Sequence, residues 1–413
     1  MEEPIHTSNY KSSNWKMQVA IFLSSQTISL FGSSLIQFAI IWYIAKTTNS
    51  GIMVTISTIC SFLPQLFISL FAGVWADRYN RKILIVLSDG LIATATLILA
   101  IIFLAGYDSL WLIFLVSAIR SFGAGIQMPA VGAMIPQIVP QDKLMRINGI
   151  HGSIQSMIFL VSPAVSGAIL TFGAFESILL IDVATAVVAI AILLTLRVAV
   201  HKKAAEKKET SYFHDLQEGL TYSFSHSFIK NLLLFYSIFM FLIVPAAFLN
   251  VLMVTRVFGA EYWKLTANEM AFFAGAMIGG IIVASWGGFK NRIVTIAVGC
   301  CAFGVLTVAV GITKIFFVYL GIMVLTGMTM PLFSSPTMVL LQEKVEADIQ
   351  GRVFSLIQLV SSGIMPLGML IFGPLADVVG IENLMIITGV LLVLLGISVF
   401  YNRNFIKEGV KAN

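Results

Sequence analysis

Long apolar runs alternate with short charged segments along this chain, and this alternation most constrains its fold. Residues 51–76 contain no Asp, Glu, Lys or Arg, and residues 83–105 contain a single charged residue, Asp89. Between these runs, Asp77, Arg78, Arg81 and Lys82 lie within six positions. About 20 apolar residues are enough for a helix to cross the hydrocarbon core of a bilayer. The segment 73–82 is therefore predicted to be a short loop between two membrane-spanning helices.

The composition predicts that most of the chain lies in the membrane. Hydrophobic residues make up 58% of the 413 positions and charged residues 11%, far from the balance of a soluble protein. This length accommodates about twelve membrane-spanning helices with their loops and leaves no room for a large soluble domain. We therefore expect an all-α, multi-pass protein of the cell membrane, in contact with the lipid bilayer.

The positive charge is distributed in a way that predicts topology. The formal net charge is +5, and 20 of the 25 Lys and Arg fall in segments that we assign to the cytoplasm. The five exceptions are Lys46, Arg120, Arg256, Lys264 and Lys314. Because basic residues in short loops stay in the cytoplasm, the excess sets orientation and does not indicate nucleic-acid binding. Both termini are predicted to be cytoplasmic.

Recurring residues predict two related halves. We expect a first bundle of six helices at 1–198, a cytoplasmic linker at 199–227 and a second bundle of six at 228–413. The linker stretch is the longest hydrophilic segment and is rich in Lys. Equivalent residues of the two halves are Asp142 and Asp348, Arg146 and Arg352, Gln155 and Gln358, and Pro163 and Pro366. Such matches fit parallel repeats about an axis along the membrane normal.

Polar residues also form a stripe on the first predicted helix. Gln26, Ser29, Ser33 and Gln37 recur at helical spacing. A stripe of this kind is costly against lipid, so it should face protein or water. Two interpretations stay open: the stripe lines a substrate cavity, or it packs against neighbouring helices through small and polar side chains.

Four charged residues lie within or at the border of predicted membrane helices: Asp89, Arg120, Asp182 and Glu269. Burial of a guanidinium in a membrane is expensive, so Arg120 is expected to have a function or a partner. We expect Asp89 to pair with the charged loop at 77–82. A buried carboxylate near a buried arginine could exchange its proton when the pairing changes. Arg120 and Asp182, with Glu269, are therefore predicted to couple protons to a conformational change. The alternative is that Asp182 belongs to a static hydrogen-bond network.

The sequence lacks the nucleotide-binding motif of ATP-driven proteins and the catalytic motifs of common hydrolases. It has no phosphate-binding Gly-x-x-x-x-Gly-Lys-Ser/Thr, no His-Glu-x-x-His and no nucleophile-elbow pattern. Cys60, Cys300 and Cys301 lie in apolar runs and are interpreted as small hydrophobic residues. We therefore expect no enzyme activity, no cofactor and no metal site. A membrane protein without a nucleotide site would draw energy from an ion gradient or from the gradient of a substrate.

Several segments resemble a known family. The pattern Gly-x-x-x-Asp-Arg-x-x-Arg-Lys, from Gly73 to Lys82, resembles the loop between helices 2 and 3 of the major facilitator superfamily, with Asn80 where many members have glycine. Within that superfamily the chain resembles the macrolide-efflux (Mef) family of bacterial exporters. The matching segments are 51–77, 119–121, 162–165, 181–183, 342–344 and 351–357.

The resemblance implies roles for individual residues. Gly73, Asp77, Arg78, Arg81 and Lys82 match a loop that acts as a conformational gate, to which we add Asp89; the alternative is a loop that only sets topology. Arg120 matches the helix-4 arginine implicated in coupling, although Gly123 and Gly125 are displaced by one position. The segment 162–167 is similar to the antiporter signature, but Ser162 and Ala164 replace two of its glycines.

We therefore expect a proton-coupled exporter of bulky amphipathic compounds of the macrolide type, working by alternating access as a monomer. Alternatives within the superfamily are a siderophore or lysolipid transporter. An alternative of another class is a non-transporting protein that assists an ATP-driven resistance protein. An exporter could also cooperate with such an ATP-driven protein as its partner. The residues predicted to line the substrate cavity are Gln26, Ser33, Gln37, Gln155, Pro163, Asn250, Gln358 and Pro366.

Overall fold

A computed structural model describes residues 15–196, 221–345 and 347–409, and these residues form helices joined by short turns. Most of the predicted linker therefore lies outside the described residues. The N-terminal helices are α1 (Trp15–Thr48), α2 (Gly51–Arg78), α3 (Arg81–Leu104), α4 (Leu110–Ile138), α5 (Leu144–Phe172) and α6 (Phe175–Thr195). The C-terminal helices are α7 (Ser227–Leu242), α8 (Val244–Phe248), α9 (Asn250–Met253), α10 (Tyr262–Trp286), α11 (Arg292–Ile312), α12 (Phe316–Lys344), α13 (Ala347–Val378), α14 (Ile381–Tyr401) and α15 (Arg403–Glu408).

Among the described residues, ten helices are long and apolar enough to cross a membrane. Two further apolar stretches are shorter, namely α7 and residues 362–378 of α13. The all-helical membrane architecture predicted from composition is thus confirmed. The number twelve and the cytoplasmic position of the termini stay predictions.

Small residues allow the helices to pack closely within each part of the chain. In the N-terminal group, α1 packs on α5 and α6, while α4 packs on α2 and α3. In the C-terminal group, α11 packs on α12 and α14, and α10 packs on α12. A Cβ added at Gly275 of α10 would lie 1.9 Å from the carbonyl oxygen of Val324 in α12. Close backbone approach at glycine is a common means of packing helices in membranes.

The two groups meet through the helix pairs α2–α13 and α5–α10. A Cβ at Gly373 of α13 would lie 1.6 Å from Thr55 Oγ1 of α2, and one at Gly167 of α5 would lie equally close, 1.6 Å, to Thr266 Oγ1 of α10. These contacts lie near the turns at 49–50, 173–174, 259–261 and 379–380. We call this side the opposite face, and we call the side with the turns at 79–80, 139–143 and 287–291 the basic face.

The first membrane segment of the C-terminal group is divided into short helices. α7 ends at Leu242 and is followed by α8, α9 and a π-helical turn at Val254–Phe258. Pro245 lies in the first turn of α8, and because proline has no N–H it cannot continue the hydrogen bonding of α7. The break places Asn250 at the start of α9 and turns it towards α10.

Candidate coupling and gating site

The centre of the N-terminal group holds an ion pair between two helices. Arg120 of α4 donates to the Asp182 carboxylate of α6 and also to Thr96 Oγ1 of α3, at 2.5 Å. Ser33 of α1 donates to Asp182 Oδ1 at 3.5 Å. The side chains of Arg120 and Asp182 are 11% and 2% exposed. The structure thus brings together two residues predicted to couple protons, and it adds Ser33 and Thr96 as their neighbours.

The burial of this pair gives each partner a strong dependence on the other. Removing a carboxylate and a guanidinium from water is costly, and mutual attraction offsets the cost when they lie together. A variant that removes one member leaves the other as an uncompensated charge. Any movement that separates α4 from α6 at this level therefore carries an electrostatic penalty unless a proton, an ion or water replaces the lost partner.

Asp89 does not make the contact predicted for it. We expected pairing with the loop at 77–82, but Asp89 is buried in α3 and accepts hydrogen bonds from Ser29 of α1 at 3.1 Å and from Gln127 of α4 at 2.5 Å. Its Oδ2 atom has no hydrogen-bond partner. The prediction was wrong because Asp89 lies more than two turns inside α3, whose axial rise of about 1.5 Å per residue takes it away from the loop.

The C-terminal group also contains a carboxylate, Glu269, whose partners are neutral. Glu269 of α10 accepts a hydrogen bond from Asn268 at 3.3 Å and also interacts with the Asn250 side chain of α9. Tyr319 of α12 donates to Asn268 Oδ1 at 2.6 Å. The helix α10 starts at Tyr262. Glu269 is therefore about two turns inside the helix.

The predicted cavity residues have mixed environments. Gln26 is buried and its Nε2 has no hydrogen-bond partner, whereas Gln37, further along α1, is exposed. Ser29 and Ser33 of the same stripe bond to carboxylates of neighbouring helices, so this part of the stripe packs against protein. The remaining predicted residues are half-buried (Gln155) or buried (Pro163, Asn250 and Pro366); the Gln358 side chain lies outside the described part of the structure.

Residues 73–82 were predicted to form a loop, but α2 continues to Arg78 and α3 begins at Arg81, so only residues 79 and 80 lie between the helices. Side chains of this segment nevertheless tie α3 to the ends of α4 and α6. Asn80 caps α3 by accepting from the backbone N–H groups of residues 82 and 83. Arg81 donates to the Ala133 carbonyl of α4 at 3.0 Å, and Lys82 donates to the carbonyls of residues 194 and 196, at 2.8 and 2.7 Å, at the end of α6. Gly73 and Arg78 are exposed, and the Asp77 side chain lies outside the described part.

Sequence reasoning missed a polar cluster at the opposite face. Asp377, at the end of α13, bonds to residues 50–52 at the start of α2 and pairs with Arg256. A signal was present, because the pattern Gly-x-x-Ala-Asp at 73–77 recurs at 373–377. Within the described residues, no group of three or more His, Cys, Asp or Glu is arranged to hold a metal ion.

Comparisons with known proteins agree with this architecture. A family model of the Major Facilitator Superfamily matches residues 22–369. Macrolide efflux protein A of Streptococcus pyogenes is 28% identical over 94% of this chain and 96% of its own length. The staphyloferrin A transporter of Staphylococcus aureus is 24% identical over 89% of this chain and 92% of its own length.

A solved structure supports the same fold. The bacterial homologue of the human lysosomal transporter Spinster, solved in an inward-facing and unoccupied conformation, superimposes with a TM-score of 0.74 at 14% sequence identity. The match covers 96% of this chain and 98% of the homologue. With the family model spanning most of its length, the chain belongs to the Major Facilitator Superfamily and is a multi-pass transporter of the cell membrane.

Proposed function

We propose that this protein exports bulky amphipathic compounds of the macrolide type in exchange for protons, by alternating access. The observation that carries the proposal is the buried Arg120–Asp182 pair at the junction of α3, α4 and α6, in a chain that is similar to a macrolide efflux protein over 94% of its length. A charged pair inside a membrane is costly and usually marks an ion or proton pathway.

The proposed topology follows from the positive charge. We infer that the basic face is cytoplasmic and that twelve helices form two bundles, at 1–198 and 228–413, joined by a cytoplasmic linker at 199–227. Since the contacts described between the two groups lie towards the opposite face, this arrangement corresponds to a state closed to the outside. Export then requires these contacts to separate while contacts at the cytoplasmic side form.

The proposed coupling step uses the pair itself. When the helices rearrange and Arg120 moves away, Asp182 becomes a buried charge without a counterion, and a proton from outside removes that cost. When Arg120 returns on the cytoplasmic side of the cycle, the proton is released. Glu269 is the second proposed proton site, and the half-buried Gln155 and the buried Asn250 are proposed to contact substrate.

The segment 73–82, where α2 ends and α3 begins, is proposed to act as the cytoplasmic gate. Arg81 and Lys82 bind α4 and the end of α6, so this segment moves together with the N-terminal group. Asp77→Asn is expected to abolish transport while insertion and abundance stay near normal. Normal transport by this variant would leave the loop with a role in topology alone.

A siderophore is the second candidate substrate. It is favoured by the similarity to the staphyloferrin A transporter, which covers 89% of this chain at 24% identity. A lysolipid substrate and an accessory role beside an ATP-driven resistance protein are weaker proposals. The protein is proposed to act as a monomer.

Accumulation of a radiolabelled macrolide in cells that express the protein tests the proposal. We expect low accumulation that rises to the level of control cells when a protonophore collapses the proton gradient. The matched control is a strain that expresses Arg120→Gln at equal abundance. If expression of the wild-type protein leaves accumulation unchanged, the macrolide proposal fails and siderophore export becomes the leading hypothesis.

A further inference from the structure

The carboxylate of Asp377 binds the start of a helix from the other group. Asp377 accepts hydrogen bonds from the backbone N–H of Gly51 at 2.7 Å and of Ile52 at 3.0 Å, and from the Ser50 hydroxyl, also at 3.0 Å. Ser50 is the N-cap of α2, so these are N–H groups that have no partner within the helix. A negative charge at this position is also favoured by the helix dipole.

Arg256 binds the same place from a third helix segment. It pairs with Asp377 and donates to the Ala376 carbonyl at 2.8 Å, and it reaches across to the Asn49 carbonyl at 2.7 Å. Thr255 Oγ1 lies 3.4 Å from Asn49 Oδ1. The turn between α1 and α2, where Asn49 has a positive φ of 48°, is therefore held by two segments of the C-terminal group at once.

The backbones behind these side chains are in direct contact. Gly51 and Gly373 face one another, since a Cβ at Gly51 would lie 2.2 Å from the Gly373 carbonyl oxygen. One turn further along α2, Thr55 donates to the Met369 carbonyl at 3.1 Å. The two helices can separate at this face only if these contacts, and those of Asp377 and Arg256, break together.

We propose that Asp377 and Arg256, with residues 49–52, form an outer latch that must open before the transporter can release substrate to the outside. The inference rests on the alternating access of the proposed function but not on its substrate. Asp377 belongs to the second copy of Gly-x-x-Ala-Asp. One copy ends α2 at the basic face and the other ends α13 at the opposite face, so the same helix pair carries an aspartate at each end.

The latch stabilises the closed state by interactions that the open state lacks. Hydrogen bonds between charged groups are stronger than neutral ones, and their loss shifts a conformational equilibrium by their differential free energy. Neutralising either charge is therefore expected to raise the ratio of outward-open to outward-closed molecules about tenfold.

Pulsed electron paramagnetic resonance on the purified full-length protein tests this, in a background with Cys60, Cys300 and Cys301 replaced by alanine. Tyr107 follows α3 and Ile315 follows α11, and both lie at the opposite face because these helices begin at the basic face. Both side chains are exposed, and spin labels at these positions report the separation of the groups. Labels at Lys143 and Lys290, exposed at the basic face, report the other side. The variants are Asp377→Asn, Asp377→Ala and Arg256→Gln, and no substrate is added.

Glu382→Gln is the matched control. Glu382 pairs with Lys314 at 2.7 Å at the same face, but both residues belong to the C-terminal group. We expect longer distances at the opposite face and shorter ones at the basic face in the three latch variants, with the control unchanged. The proposal is overturned if Asp377→Ala and Arg256→Gln match the parent, or if Glu382→Gln shifts as far as they do.

The outcome is separable from that of the macrolide experiment. If the latch variants respond as expected but the protein does not lower macrolide accumulation, the macrolide proposal fails and the latch proposal stands. A variant that loses its folded state is recognised by aggregation in size-exclusion chromatography, and Asp377→Asn, which keeps one acceptor for the α2 N–H groups, then decides the question.

Discussion

Asp182 and Glu269 each lie about two turns inside a helix, yet their surroundings differ in kind. Asp182 faces a guanidinium and a hydroxyl, whereas Glu269 faces the side-chain amides of Asn250 and Asn268. A buried ion pair makes each partner expensive to remove, while a carboxyl among neutral donors can be replaced by an amide of the same shape at small cost. Removing one charge is therefore expected to cost more at the Arg120–Asp182 site than at Glu269.

The largest expected difference is in stability after neutralisation. Asp182→Asn leaves the Arg120 charge without its carboxylate and is expected to lower the free energy of unfolding by about 3 kcal/mol. Glu269→Gln keeps a side chain of similar shape, so it is expected to lower the free energy of unfolding by about 1 kcal/mol or less. Unfolding in mixed micelles with increasing denaturing detergent measures both. Equal losses in the two variants would remove the distinction between the sites.

A double-mutant cycle sharpens the same comparison. Arg120→Gln and Asp182→Asn remove opposite members of one pair, so the double variant is expected to be more stable than the sum of the single losses predicts, by about 2 kcal/mol. The control cycle joins Arg120→Gln with Glu269→Gln, for which additivity is expected. Additive losses in the first cycle would mean that the pair contributes no coupling to the folded state.

A smaller effect is expected from the hydroxyl of Tyr319, which holds the Asn268 side chain beside Glu269. Tyr319→Phe removes the donor to Asn268 Oδ1 and leaves a buried acceptor without a partner, at a cost of about 1 kcal/mol. Tyr107→Phe, at an exposed position, is the matched control and is expected to leave stability unchanged. The two are compared by thermal unfolding in detergent, and equal melting temperatures would show that the cluster is not needed for the fold.

The smallest expected effect is at Ser33. Its hydroxyl lies 3.5 Å from Asp182 Oδ1, at the limit of hydrogen bonding, so Ser33→Ala is expected to lower stability by about 0.5 kcal/mol. Its effect on transport decides whether Ser33 contacts substrate, as the sequence predicts. A change in the Michaelis constant for the substrate without a change in maximal rate would favour that role, whereas an unchanged value would assign Ser33 to packing.

The sequence was informative where composition and charge alone decide the structure. The membrane architecture follows from the apolar runs, and the expectation that Arg120 has a function or a partner follows from the cost of charge in a membrane. It was uninformative where the answer depends on which helices are neighbours. The partners of Asp89, Ser29 and Gln127, belong to α1 and α4, and no local pattern indicates them.

The same reason explains the missed residues at the opposite face. Asp377 was left out because its recurring pattern has no basic residues after it, and its partners lie 121 to 327 positions away along the chain. The break after α7 had a local signal in Pro245, but whether proline bends or interrupts a helix depends on packing around it. Long-range contacts, and not local propensity, set these features.

The most direct test of proton exchange is made in proteoliposomes that contain the purified protein and an internal pH-sensitive dye. A macrolide gradient imposed across the vesicle membrane should move protons in the opposite direction in the wild-type protein, and Asp182→Asn should abolish that proton flux. Proton flux that persists in Asp182→Asn at the wild-type rate would remove Asp182 from coupling. Macrolide movement by the wild-type protein without any proton flux would contradict antiport itself.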